Sequence, residues 1–136
     1  MKSAEDVESY LMRLDLPYEI IKPGIWVVKP TRDQNLAVSL AGPVVAFRIK
    51  VMDLPSQDRE SLFRTLLSLN TTEMVHGAFG LEGDAVVIAH VLDMENLDFN
   101  EFQAVVEDMT MAIAKHYPNL SGFLHGGAAA PPSVSA

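Results

Sequence analysis

Two histidines, His76 and His90, lie in a segment whose residue types could support catalysis or metal binding. They would face each other if the strands predicted around them formed a hairpin, and a histidine pair can bind a metal ion or transfer a proton. However, the four histidines of the chain, at positions 76, 90, 116 and 125, are far apart and lack the HExxH spacing of a zinc site. We therefore expect structural or solvent-facing histidines.

Three glycines, Gly77, Gly80 and Gly83, form a GxxGxxG pattern that looks like a phosphate-binding loop. A dinucleotide-binding loop follows one strand and opens a helix, whose N-terminus binds the phosphate. These glycines instead lie before, within and after a short predicted strand, where glycine is typical of turns and bulges. The pattern therefore predicts turn and bulge positions, and we expect no cofactor.

An acidic run, Asp93, Glu95, Asp98 and Glu101, raises the possibility of a cation site. It lacks the DxDxDG core of a calcium loop, and Asp98 with Glu101 has the spacing of a helix capping box. The chain has no cysteine, so thiolate catalysis, disulfides and Cys-ligated metals are excluded. It also has no GxSxG motif and no P-loop lysine. We expect no catalytic residue, no metal site and no enzyme activity.

Size and charge limit the remaining classes of function. The 136 residues suit one domain, with 49% hydrophobic and 21% charged residues. The net charge of −8 repels nucleic-acid phosphates and anionic membrane surfaces. The longest apolar run, residues 36–47, falls short of the roughly 20 residues that span a bilayer, and the polar start MKSAEDVESY lacks the apolar core of a secretory signal. We expect a cytoplasmic protein without nucleic-acid or membrane partners.

The first half of the chain has the pattern of one helix followed by strands. Helical spacing of apolar residues predicts a first helix over residues 4–15, which Pro17 stops. From Tyr18 to Val51, β-branched and aromatic residues between turn formers predict three or four strands, with a hairpin turn at Pro23-Gly24. In Val44–Val51, alternation of apolar and other residues predicts a strand that is buried on one face.

The second half predicts two more helices around a hairpin. After Leu54-Pro55, Ser56 is positioned to cap a second helix, and two strands joined across residues 82–84 follow it. Asp98 then caps a third helix, which we expect Pro118 to end. Residues 1–118 are therefore predicted as one domain, and residues 119–136, which end in GGAAAPPSVSA, as a disordered tail.

The predicted element order is α-β-β-β-α-β-β-α, an α+β fold with helices packed on an antiparallel sheet. With the segments LLSLN (66–70), GAFGLEGDAVVIAHVL (77–92) and NLDFNEF (96–102), this order resembles the YbjN-like family. That family is in turn similar to the type III secretion chaperones of the Tir chaperone type. The resemblance extends over about residues 3–117.

The resemblance implies a small acidic homodimer that holds a polypeptide client rather than transforming a substrate. Chaperones of this kind bind partly unfolded segments along exposed apolar patches and strand edges, a mode equivalent to strand addition. The resemblance does not identify the client. A regulatory or sensory module that binds a small ligand between sheet and helices remains the alternative, and an unrecognised enzyme is a third.

Two sets of residues are candidates for these contacts. The client surface is predicted at sheet positions expected to remain accessible, which are Trp26, Val28, Val44 and Ala46. The dimer contact is predicted on helix two, whose apolar face is wider than one packing surface needs; its residues are Leu62, Phe63 and Leu66, together with the strand Ala78–Leu81. Packing in the core of the single chain is the alternative for Trp26 and for each of the predicted dimer residues.

Overall fold

The structure, a computed structural model, describes residues 2–124 of the chain, which form three helices, six strands and a short 3-10 helix. In chain order the elements are α1 (Ala4–Leu14), β1 (Tyr18–Lys22), β2 (Ile25–Val28), β3 (Leu36–Ala41), β4 (Val44–Asp53), α2 (Arg59–Thr72), β5 (Ala78–Glu82), β6 (Ala85–Asp93), α3 (Phe99–Leu120) and the 3-10 helix (Ser121–Leu124). Within this part of the chain, no helix is long and apolar enough to cross a membrane.

The strands form one antiparallel sheet in the order β1-β2-β3-β4-β6-β5. The α+β fold class is therefore confirmed, although four strands precede α2, one more than the predicted order α-β-β-β-α-β-β-α contains. Both predicted hairpins are present, β1–β2 across Pro23-Gly24 and β5–β6 across Gly83-Asp84. Because α2 connects β4 to β5, the returning strand β6 pairs with β4 and leaves β5 at an edge.

One face of the sheet carries the core. Val45, Phe47 and Ile49 alternate to this face of β4 and are at most 1% exposed, which confirms the predicted one-sided strand. They pack with the apolar side of α3, where the rings of Phe47 and Phe102 meet edge to face with centroids 5.2 Å apart. Val7 and Leu11 of α1 join the same cluster, so α1 and α3 lie over this face.

The helix starts follow local capping chemistry, with one difference from the prediction. The Asp98 side chain accepts a hydrogen bond from the Glu101 backbone N–H at 2.8 Å, so the predicted cap of α3 is confirmed. For α2, the predicted cap at Ser56 is wrong, because the helix starts at Arg59 after Asp58. The Arg59 Nε donates to the Pro55 carbonyl at 2.7 Å and holds the preceding turn, which displaces the start of the helix.

The stop predicted at Pro118 is also wrong. Helix α3 continues to Leu120, and the 3-10 helix follows it directly. Proline removes only one helical N–H, whereas Leu120 and Phe123 are 1% and 5% exposed, so burial of both side chains holds the last turns on the core. Residues 119–124 of the predicted tail are thus helical. The rest, residues 125–136 with His125, lies outside the described residues, and its disorder stays a prediction.

A substitution at Gly77 tests how tightly the sheet and α3 are packed. Gly77 has φ +92°, and an added Cβ would lie 2.9 Å from Ile88 Cγ2 and 3.3 Å from Met109 Cγ. Because backbone strain and a close contact add together, Gly77→Ala is expected to lower the free energy of unfolding by about 2–4 kcal/mol in urea denaturation. Gly80→Ala is the control, since an added Cβ there meets no atom within 4 Å. Equal destabilisation by both substitutions would contradict this packing.

Candidate functional site

The sheet has an open face, opposite the core, whose side chains on β2, β3 and β4 are half-buried or exposed and do not belong to the core cluster. Strand alternation and register place small or β-branched residues on it, with Val27 beside Ala37, and Ala46 between Ser39 and Val91. We define the open sheet face by Ile25, Val27, Ala37, Ser39, Val44, Ala46 and Val91. Most of these side chains are half-buried, and Val91 is 54% exposed. The result is a continuous apolar surface across four strands.

Ion pairs border this surface on the side of the β5–β6 hairpin. Arg48 Nη1 and Glu82 Oε2 are 2.8 Å apart, and Lys50 Nζ and Asp53 Oδ1 are 2.6 Å apart. All four side chains are at least half exposed, so these pairs contribute little to stability. They divide the sheet surface into an apolar half and an ionic half.

The structure divides the predicted client residues between the two faces of the sheet. Val44 and Ala46 lie on the open sheet face and are half-buried. Trp26 and Val28 point to the opposite, core-facing side and are 2% and 1% exposed. The expected accessibility of Trp26 and Val28 is therefore wrong in the single chain, because alternation on β2 turns their side chains under the helices. A role of any of the four in client binding stays a prediction.

The β1 edge of the sheet is a second exposed feature. Ile20 and Ile21 of this edge strand are 56% and 54% exposed. The Lys29 backbone N–H donates to the Pro17 carbonyl, so alternation of the ladder directs the peptide groups of Tyr18 and Ile20 away from β2. Within residues 2–124, no hydrogen bond from another element reaches these groups. This edge is open to an added strand.

Helix α2 separates the predicted dimer residues in the same way. Leu62 and Leu66 are 0% and 4% exposed and belong to the core, whereas Phe63 is half-buried at the rim of an outer groove. This groove of about 710 Å³ also contains Leu67, which is 66% exposed, and polar side chains of the same helix. Leu67 was not among the predicted dimer residues, although its i,i+4 spacing from Phe63 places both side chains on one side of the helix.

The two histidines near the second hairpin, His76 and His90, contact each other, as the predicted strand pairing allows. The rings of His76 and His90 stand edge to face with centroids 5.5 Å apart. His76 Nδ1 bonds the Asp108 carboxylate of α3, and His90 Nδ1 accepts the Gly77 backbone N–H at 3.0 Å. Asp108 was not among the predicted residues, because no local pattern relates His76 to a residue 32 positions away.

This cluster connects structural elements. Within residues 2–124, His, Asp and Glu side chains nowhere form a group of three that could hold a metal ion. Partial burial, with a smaller contribution from His76, lowers the pKa of His90 below the ordinary histidine value of 6.5. The neutral His90 ring is the form that accepts the Gly77 N–H, so the hydrogen bond and the lowered pKa agree. The cluster therefore ties the start of β5 to β6 and α3.

Comparisons with known proteins agree with this architecture. The model of the CesT_Tir_1 protein family matches residues 1–125. No curated protein matches this sequence as a relative.

Several solved structures have the same fold at low sequence identity. A chain of the heterodimeric ExoU–SpcU complex from the type III secretion system of Pseudomonas aeruginosa is 11% identical, with a TM-score of 0.68 over 82% of this chain and 95% of that one. A chain of the complex between the Yersinia pestis type III secretion chaperone SycH and a fragment of YscM2 is 12% identical, with a TM-score of 0.62 over 82% of this chain and 97% of that one. YbjN of E. coli is 13% identical, with a TM-score of 0.63 over 86% and 92%.

The lowered pKa of His90 predicts a stability that depends on pH below about pH 7. In the unfolded chain His90 takes up a proton near pH 6.5, whereas the folded chain takes it up at lower pH. The free energy of unfolding should therefore fall as the pH drops below 6.5, and this contribution should level off below the folded-state pKa. Urea denaturation at a series of pH values measures it.

His90→Asn is the matched variant for this test. Its side-chain oxygen can accept the Gly77 N–H but does not titrate, so its stability profile below about pH 7 should be flatter than that of the wild type. His116, whose pKa burial also lowers, leaves a residual slope in both proteins. Identical slopes in the two proteins would show that His90 does not carry the pH dependence.

Proposed function

The chain belongs to the CesT_Tir_1 family, and we propose that it acts as a chaperone-like protein that holds a polypeptide partner without transforming it. The open sheet face is the observation that carries this proposal. Contiguous apolar surface that remains exposed on a folded chain commonly marks an interaction site. The complex of SycH with a fragment of YscM2, on the same fold, supports a polypeptide as the partner.

The shape of the open sheet face supports a polypeptide as its occupant. The side chains at Ala37, Ser39 and Ala46 are small, so the surface between Val27 and Val91 offers shallow space for larger side chains of a partner. Apolar contact on such a surface requires no fixed motif in the partner. This property fits a partly unfolded client, and it explains how the protein can act without catalytic residues.

The β1 edge provides directional bonds for the same client. An extended segment beside β1 would pair with the peptide groups of Tyr18 and Ile20 and add a seventh strand. The exposed side chains of Ile20 and Ile21 would then pack against the client's alternate residues. Main-chain bonds supply affinity that is independent of sequence, and the apolar contacts select hydrophobic segments.

A homodimer is the second part of the proposal. The outer groove of α2 contains Phe63 and Leu67, and a two-fold contact would bury both residues from each copy. Leu62 and Leu66 would support this contact from the core side of the helix. We propose both the homodimer and the cytoplasmic location that the sequence predicts.

Small-ligand binding is the second candidate function. A groove of about 270 Å³ lies between the helices and the β2–β3 loop, with apolar lining from Leu14, Leu16, Pro30 and Val106. Its volume is near the lower limit of typical small-molecule sites, about 300 Å³. A ligand-dependent rise in melting temperature would favour this function, because a ligand that binds only the folded state stabilises it.

Charged substitutions on the open sheet face test the client proposal. Val44→Asp and Ala46→Asp each place a carboxylate on the apolar surface, and their combination should lower client affinity at least about tenfold. The measurement is affinity capture from a native lysate with quantitative mass spectrometry, followed by titration of the enriched partner.

Met12→Asp is the matched control for these variants. It makes the same type of change at a side chain of α1 that is 61% exposed and distant from the open sheet face. Wild type and Met12→Asp should retain the partner that the double variant loses, while circular dichroism shows all three folded. Retention by the double variant would place the client elsewhere.

Leu67→Asp tests the dimer. A carboxylate from each copy would meet in the proposed contact, so the dimer dissociation constant should rise about tenfold to a hundredfold. Analytical ultracentrifugation over a concentration series measures this change. Met111→Asp is the control, because Met111 is also 66% exposed but lies on α3. A wild type that remains monomeric at high concentration would contradict the homodimer.

A further inference from the structure

Asn70, in the last turn of α2, bonds both peptide groups of Phe79 on β5. The Asn70 Oδ1 accepts from the Phe79 N–H at 2.7 Å, and the Asn70 Nδ2 donates to the Phe79 carbonyl at 3.1 Å. A residue in an adjacent antiparallel strand would form the same pair of bonds. The Asn70 amide therefore occupies a position on this edge where an added strand would pair.

The Asn70 amide bonds one of the two β5 residues whose peptide groups point away from β6. The two-residue turn Gly83-Asp84 closes the hairpin, and alternation from this turn directs the peptide groups of Phe79 and Leu81 away from β6. With Phe79 bonded to Asn70, Leu81 is the one residue of this five-residue strand whose outward groups remain for pairing. One residue offers too few bonds to anchor an added strand.

The β1 edge differs at the corresponding positions. The outward peptide groups of Tyr18 and Ile20 are two residues apart, the repeat of a strand ladder, and no side chain within residues 2–124 bonds them. Both edges end the same sheet, and both carry an exposed apolar side chain, Ile20 on β1 and Leu81 on β5. The Asn70 amide is therefore a clear chemical difference between the two edges.

We propose that Asn70 is a specificity-determining residue that closes the β5 edge and so directs strand pairing to β1. The inference rests on the proposed function, in which the sheet accepts a strand from a client. It adds that a second copy of this chain cannot pair through β5, even when the outer grooves of α2 bring two copies together. The Asn70 amide thereby limits self-association of a protein that exposes strand edges.

Amide hydrogen exchange in the wild type is the first test, and it needs no substitution. The Phe79 N–H is on an edge strand but bonded to Asn70, so it should exchange at least roughly tenfold more slowly than the outward N–H of Leu81, the factor that one net hydrogen bond gives. Exchange of the Phe79 and Leu81 amides at equal rates would overturn the proposal.

Asn70→Ala and Asn70→Asp form the matched pair for the second test. Alanine removes both bonds and opens the edge, so the weight-average mass in analytical ultracentrifugation should rise with concentration above that of the wild type. Aspartate still accepts the Phe79 N–H but cannot donate to the carbonyl, and its charge keeps a second β5 away. Asn70→Asp should therefore lose a bond without associating, which separates edge opening from general destabilisation.

The masses of the Asn70 variants test the proposal without a client. A folded Asn70→Ala variant whose mass matches the wild type at every concentration would overturn it, as would equal association of both variants. If Asn70→Ala does not fold by circular dichroism, Asn70→Ser takes its place in the same comparison, because a hydroxyl cannot span both peptide groups. Failure of client capture would contradict the proposed function but would leave these results unchanged, since the probe is a second copy of the chain.

Discussion

The structure depends on a sheet that is buried on one face only. On β4, Val45, Phe47 and Ile49 turn to the helices, while Val44 and Ala46 turn away from them. The contact between Phe47 and Phe102 at the centre of the core fixes α3 over the sheet, and α1 packs beside α3. With these helices on one side, Val44 and Ala46 on the opposite side remain half-buried.

Polar side chains at the border of the core determine how the sheet ends. Asn70 bonds the edge of β5, and His76 links the segment before β5 to Asp108 of α3. Gly77 lies between His76 and Phe79, where an added Cβ would lie 2.9 Å from Ile88 Cγ2. In the segment around residues 66–92, these contacts hold β5 to α2 and α3, and the Asn70 amide occupies the outward peptide groups of Phe79.

The proposed binding of a polypeptide follows from incomplete burial of the sheet. A fold that covered both sheet faces and both edges would gain stability and lose the surfaces that a polypeptide can occupy. Here the open sheet face supplies apolar contact, and β1 supplies unpaired peptide groups. The chain belongs to the CesT_Tir_1 family, and the complex of the type III secretion chaperone SycH with a fragment of YscM2 has the same fold.

Local patterns in the sequence were sufficient for the element types, both hairpins, the Asp98 cap and the one-sidedness of β4. They failed at Pro118, because the burial of Leu120 and Phe123 outweighs one lost helical hydrogen bond. Only the tertiary structure decided which side of β2 carries Trp26, that Leu67 rather than Leu62 faces outward, and that Asn70 reaches Phe79. The physical reason is range: propensity, alternation and capping act within a few residues, whereas exposure and edge pairing depend on elements brought together from distant parts of the chain.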